Sequence, residues 1–270
     1  MINIAQPALG AEEIAAVNEV FQSGMLAQGS ITTKFENNFA DYCGVLHATG
    51  VNSGTAALHM GLLALGIGPG DEVIVPSFTF IATATSVSMC GAKPVIVDVN
   101  KDTYTINPDE VSENITYKTK AVIGVHLFGQ PFDINSLNEI CKDKDIYLIE
   151  DAAQSHGSLY KDKKVGSFGE LGCFSFYPTK NMTTIEGGMI TTNNTELDSK
   201  IRRLINHGQS AKYLHTELGY NMRLSNVSAA IGNVQLSKLD AMNKKRAENA
   251  EILCKKINVD GLKKPFCKKG

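Results

Sequence analysis

Short apolar runs rich in valine and isoleucine recur along this chain, separated by stretches with helical spacing of apolar positions. The runs predict strands at 72–76 (EVIVP), 94–99 (PVIVDV), 120–129 (KAVIGVHLFG), 146–151 (IYLIED), 172–177 (GCFSFY) and 188–192 (GMITT). The intervening segments 81–91, 108–115 and 133–144 predict helices, and 225–257 contains few helix breakers, so it predicts one or two more. Strands that read as nearly continuous hydrophobic runs, alternating with helices, belong in a parallel sheet covered on both faces. The expected class is therefore α/β, a three-layer sandwich with a mostly parallel central sheet. The last two strands, joined by a loop that carries Lys180, are the place where the parallel order is expected to break. In such sheets ligands lie beyond the C-terminal ends of the strands, so chemistry is sought there.

Composition narrows the function classes. The 270 residues carry 26 basic and 28 acidic side chains, a formal charge of −2, which offers no electrostatic footprint for nucleic acid or an anionic membrane. The longest apolar run, AALHMGLLALG, is too short and too interrupted by glycine to span a bilayer. The N-terminal stretch MINIAQPALGAEE lacks the pattern of a signal peptide. Six cysteines at 43, 90, 141, 173, 254 and 267 form no CxxC pair and suit reduced residues of a cytoplasmic protein. None of the six histidines falls in an HxH or HExxH pair, so no metal site is expected, and no GxSxG setting supports a serine hydrolase.

Four stretches remain. GIGPGDEV (66–73) resembles a dinucleotide fingerprint but follows a helical segment and precedes a strand, which is the wrong order; it reads as a helix end and turn. In NSGTAALHMGLLAL (52–65), Ser53, Gly54 and Thr55 stand at the start of an apolar helix, where they form either an ordinary N-cap or a phosphate cradle. IYLIEDAAQSHG (146–157) ends a buried strand in Glu150-Asp151, a carboxylate pair that either caps the next segment or faces a cationic ligand; Gln154 and His156 follow. CFSFYPTKNMTTIEGGM (173–189) places a single lysine, Lys180, just beyond a buried strand. A phosphate cradle, a strand-end carboxylate and a loop lysine together suit pyridoxal 5′-phosphate (PLP), whose aldehyde, pyridine nitrogen and phosphate call for those three parts.

With those residues in hand, the chain resembles the nucleotide-sugar aminotransferases of the DegT/StrS type, a branch of the fold-type I PLP-dependent transferases. The likeness runs from about Ile4 to Asp240 through NSGTAALH, GDEVIVPSFTF, GAKPVIVDV, VHLFGQP, EDAAQSHG, SFYPTKN, EGGM, NHG and LGYNMRLSNVSAAIG. It implies Lys180 as the lysine that holds the cofactor and shuttles a proton, and Asp151 as the partner of the pyridine nitrogen. It implies Gly54, Thr55, Ala56 and Ser175 around the phosphate, Phe80 stacked on the ring and Gln154 beside the ring hydroxyl. Asn221 matches a position that reaches the phosphate in a neighbouring subunit, so a homodimer with shared sites is implied. The implied reaction moves an amino group from an amino acid, glutamate foremost, to a nucleotide-linked keto-sugar. A keto-inositol or another non-nucleotide ring is the alternative substrate, and a non-catalytic PLP-binding or dimerisation fragment the alternative role.

Two departures accompany the resemblance. Relatives carry glycine where this chain has Ile185, so a β-branched residue is expected to be strained there if the backbone needs a positive φ. Relatives also continue into a smaller C-terminal domain. The expected division is a PLP-binding large domain over 1–235 and, over 236–270, a helical connection to a small domain that is largely absent.

Overall fold

The computed structural model describes residues 6–265. In chain order the elements are α1 (Ala11–Ser23), α2 (Ser30–Cys43), β1 (His47–Val51), α3 (Gly54–Ala64), β2 (Glu72–Pro76), α4 (Ala82–Met89), β3 (Lys93–Val97), α5 (Pro108–Glu113), β4 (Thr119–Val125) and α6 (Ile134–Asp143). They continue with β5 (Tyr147–Asp151), β6 (Leu159–Tyr160), β7 (Lys163–Lys164), β8 (Leu171–Ser175), β9 (Gly188–Thr192), α7 (Thr195–Leu204), β10 (Gln209–Ala211), β11 (Leu214–His215) and α8 (Asn226–Lys256). Seven strands form one sheet in the order β1-β9-β8-β5-β4-β2-β3. Strands β2, β3, β4, β5 and β8 run parallel, and β9 is antiparallel to both its neighbours, β8 and β1. The break in parallel order thus falls where expected, across the loop that carries Lys180.

Alternation along each strand sends side chains to two separate cores, which is why the strands read as continuous apolar runs. Ile74, Val122, Leu148 and Phe174 join one core with Phe35, Phe39, Leu137 and Leu239 from α2, α6 and α8. Val73, Val75, Ile123, Ile149 and Cys173 join the other with Leu58, Met60, Val87 and Ile201 from α3, α4 and α7. The result is the expected three-layer sandwich. Among the described residues no helix is long and apolar enough to cross a membrane.

Several boundaries differ from the sequence reading. The run 120–129 is not all strand: β4 stops at Val125, and Leu127–Gly129 make a 3₁₀ turn in which Phe128 takes φ 53°, ψ 25°. The tail is one helix, α8, of 31 residues, started by the Ser225 hydroxyl accepting from the Ser228 N–H. GIGPGDEV is the turn that was expected: α3 ends at Ala64, Gly66 takes φ 81°, and β2 begins at Glu72.

Two glycines let three backbone segments converge beside the strand ends. A Cβ on Gly54 would lie 2.6 Å from Ser175 Cβ, and one on Gly188 would lie 2.5 Å from the Ser53 carbonyl oxygen and 2.8 Å from that of Phe174. Backbone on both sides leaves the Gly188 position no side chain to yield. Gly188→Ala is expected to destabilise the protein by about 2 kcal/mol or more, the upper range for overpacking, as read by chemical denaturation.

Candidate active site

Beyond the C-terminal ends of β4, β5 and β8 lies a cavity of about 310 Å³, lined among others by Ser53, Gly54, Thr55, Asp151, Gln154, Ser175 and Lys180. Each arrives for a local reason. Ser53 caps α3, its hydroxyl accepting from the Ala56 N–H at 3.0 Å. That bond occupies the Ala56 donor and leaves the N–H groups of Gly54 and Thr55, which by helix geometry have no intrahelical acceptor, at the cavity wall. The segment is therefore a serine N-cap that also leaves free donors at the positive end of a helix. Ala56 itself is buried and does not line the cavity. Gly54 brings the helix start against Ser175, the last residue of β8.

The carboxylate pair divides by strand alternation. Glu150 has no exposed surface and turns away from the cavity. Burial pushes its carboxyl up, yet the His126 ring at 3.0 Å and the N–H groups of Gly166, Phe168 and Gly169 at 2.7–2.8 Å outweigh it, and the net shift is downward. Asp151, one residue on, faces the cavity. Burial raises its carboxyl above the usual range, opposed by the Thr83 hydroxyl donating at 2.8 Å, the Ala153 N–H at 3.2 Å and the positive charge of Lys180. A buried carboxylate held in this way gains when a cation is placed beside it. Thr83, on α4, is steadied in turn by Thr79 at 2.8 Å.

Lys180 sits half-buried in the loop between β8 and β9. Burial lowers its pKa, against the opposing charge of Asp151, which enlarges the neutral fraction that a nucleophilic amine requires. The loop is stitched to its own base: Phe176 accepts from the Thr184 N–H and the Thr183 hydroxyl, and Asn181 donates to Asn243 of α8. Gln154 lines the cavity, and its Oε1 accepts from the Phe128 N–H at 2.9 Å, which orients the amide. Phe80 stands at the cavity mouth, 66% exposed.

Asn221 is not brought to this cavity. It is exposed, and its Oδ1 accepts from the Arg223 guanidinium at 3.0 Å. His156 is enclosed between Phe174 and Phe176, where burial pushes it down to about 3. Thr79, Thr83, Tyr177 and Glu186 also line the cavity and were not singled out from the sequence. Only the neighbourhood of Phe80 hinted at the first two, since PSFTF runs directly into α4.

The residues present suit PLP. Two free N–H groups and the Ser175 hydroxyl cluster at a helix start where a Cβ would intrude, a cation-seeking carboxylate is buried across from them, and a depressed lysine lies between loop and wall. Among the described residues no ion pair occupies Asp151 or Lys180.

The strain expected at Ile185 is present: its φ is 73° and its side chain is 55% exposed. Left-handed backbone costs a residue with a Cβ about 1–2 kcal/mol, more than the exposed side chain returns. Ile185→Gly is therefore expected to raise stability by about 1 kcal/mol in chemical denaturation. For Asp151 the folded carboxyl titrates above its unfolded value, so its favourable contribution exists at low pH and is lost as pH rises through the raised value. The cofactor-free Asp151→Asn protein is expected to melt higher than the unsubstituted chain, by a margin that grows as pH rises above the ordinary carboxylate range. A margin independent of pH would remove the buried-carboxylate account.

Comparison with known proteins gives the family. The family model described as the DegT/DnrJ/EryC1/StrS aminotransferase family matches residues 7–262. GDP-perosamine synthase of Escherichia coli O157:H7 is 42% identical over 260 residues, covering 95% of this chain and 71% of that protein. The dTDP-3-amino-3,4,6-trideoxy-alpha-D-glucose transaminase of Streptomyces venezuelae is 41% identical over 266 residues, covering 98% and 70%. Among solved structures, S. venezuelae DesV in complex with a ketimine intermediate superposes with a TM-score of 0.93 at 41% identity, covering 96% of this chain and 70% of that one. With a family match along nearly its whole length, this chain belongs to the DegT/DnrJ/EryC1/StrS aminotransferase family.

Proposed function

We propose that the cavity binds PLP and that the chain transfers an amino group from an amino acid, glutamate foremost, to a nucleotide-linked keto-sugar. The observation that carries this reading is the shared cavity of Asp151, Lys180 and the open start of α3. Relatives named for GDP-linked and dTDP-linked sugars support the acceptor class. When bound, PLP supplies an aldehyde that takes up amino groups and a ring that delocalises electrons from the adjoining carbon.

The chain's own groups divide the work. Lys180 Nζ, its pKa lowered by burial, would hold the cofactor and would carry a proton at the reacting carbons. Asp151 keeps the pyridine nitrogen protonated, and Thr83 fixes the carboxylate orientation. Gly54 and Thr55 donate backbone N–H groups to the phosphate, with the Ser175 hydroxyl beside them. Phe80 would cover one ring face, and Gln154 would stand beside the ring hydroxyl. Asn221 reaches the site of a second copy in a homodimer, and the enzyme works in the cytoplasm. Residues 1–235 are assigned to the cofactor-binding domain, and from 236 to Lys256 helix α8 leads out of it.

The test is visible absorption. Adding PLP is expected to produce a band that Lys180→Ala lacks and that glutamate bleaches while 2-oxoglutarate appears. Asp151→Asn is expected to lower the bleaching rate by about 100-fold or more, within the range for loss of a buried group that acts on the reacting centre. A band that glutamate leaves untouched would favour a binding fragment without catalysis. Absence of any lysine-dependent band would refute the proposal.

A further inference from the structure

Two side-chain amides of α8 reach into the loop that carries Lys180. Asn243 Oδ1 accepts from the side-chain amide of Asn181, the residue after Lys180, at 2.9 Å, and the Asn243 NH₂ donates to the His156 carbonyl at 2.7 Å. About two turns earlier on the helix, Gln235 is buried, and its Oε1 accepts from the Thr183 N–H at 3.4 Å. The Gln235 NH₂ donates to the Ala8 carbonyl at 2.8 Å and to Glu13 at 2.9 Å. Acceptors beside each NH₂ fix which end of the amide is oxygen, and in both cases that oxygen is turned to the loop.

These bonds hold the loop just beyond Lys180. On the near side, the Lys180 N–H closes a turn onto the Tyr177 carbonyl at 2.9 Å. Thr183 passes its hold along the chain, its hydroxyl donating to the Phe176 carbonyl at 2.8 Å and accepting from the Ile185 N–H at 2.9 Å. His156 stands on the segment that leaves Asp151, so the Asn243 amide also ties the carboxylate side of the site to the lysine side. The helix that supplies both amides is itself fixed. Asn233 accepts from Asn38 of α2 at 2.8 Å, Asp240 accepts from Tyr42 of α2 at 2.6 Å, and Lys238 pairs with Glu13 of α1 at 2.8 Å. A reactive group is held in a productive geometry only as well as the residues around it are locked.

Resting on the proposed cofactor reading, we infer that Asn243 and Gln235 are positioning residues that hold the Lys180 loop from α8, at the depth where its amine stays half-buried opposite Asp151. Neither lines the cavity, and they act through Asn181 and Thr183.

The amine reports this without cofactor. Asp151, Glu186 and Tyr177 line the cavity with Lys180, Arg246 approaches from α8, and His156 is kept neutral by burial. None of these is altered by the substitutions that follow. Acetic anhydride labelling of Lys180 in the cofactor-free full chain is followed across pH by peptide mass spectrometry. Access to the reagent scales the rate, whereas the amine's protonation sets the midpoint of the profile. In Asn243→Ala and in Gln235→Met the midpoint is expected to move upward, because a loosened loop returns the amine to water. Asn233→Ala removes a third amide of α8, one that serves α2 instead, and is expected to leave the midpoint where it was. In the PLP-loaded protein the first two substitutions are expected to slow bleaching by glutamate about ten-fold, as a small misplacement of the reacting group does.

An unchanged midpoint in Asn243→Ala or in Gln235→Met would overturn the inference. So would an equal movement in Asn233→Ala, since the amides would then serve only the stability of the fold. Labelling needs no PLP, so a missing PLP band refutes the cofactor reading without deciding this one.

Discussion

The site depends on how closely three backbone segments can approach. The turn at Ser53–Gly54, the end of β8 at Ser175 and the start of β9 at Gly188 meet at distances that no Cβ on either glycine would permit. This contact sets the start of α3 against the sheet, so that its free N–H groups point into the crevice rather than into solvent. It also brings β9 back antiparallel beside β8, and the reversal forces the connecting residues, Lys180 among them, to loop over the strand ends. Phosphate donors and the reactive amine therefore owe their proximity to one packing constraint.

A second constraint acts through the sheet. Strand alternation gives Glu150 and Asp151 opposite surroundings, although they are neighbours in sequence. Glu150 is satisfied by four donors and organises the 166–169 loop, which serves the fold. Asp151 has two donors in an equally dry place, and burial dominates its titration. Folding around such a carboxylate costs stability that an interior apolar residue would not, and a cation in the cavity offsets that cost. Poor solvation of the isolated site and its fitness for a cationic ring are the same property.

Much of this was legible in the sequence because it is periodic or short-ranged. The parallel strands, the break at the Lys180 loop, the helix start at Ser53 and the strand-end carboxylate all follow from local pattern. The structure also places Gly54, Thr55, Phe80, Gln154 and Ser175 around one cavity with Asp151 and Lys180. What escaped is long-ranged. His47–Val51 (HATGV) has no strand-like run of its own and becomes β1 only by pairing with β9, about 140 residues later. Thr83 gains its role through a hydrogen bond across 68 positions. Phe128 reads as strand because its neighbours are apolar, whereas β4 ends at Val125 and the Phe128 N–H goes to Gln154 instead of a strand partner.

Two of the left-handed non-glycine residues, Ile185 and Phe128, show different physics near the same site. At Ile185 the left-handed backbone is supported by the Thr183 hydroxyl accepting its N–H at 2.9 Å, and glycine would serve the same geometry with less strain. At Phe128 the support comes from a residue that also faces the reacting centre, so relaxing that turn would release Gln154 as well. Strain at Ile185 follows from a β-branched side chain in a backbone conformation suited to glycine. Strain at Phe128 is tied to the cavity wall through the Gln154 amide.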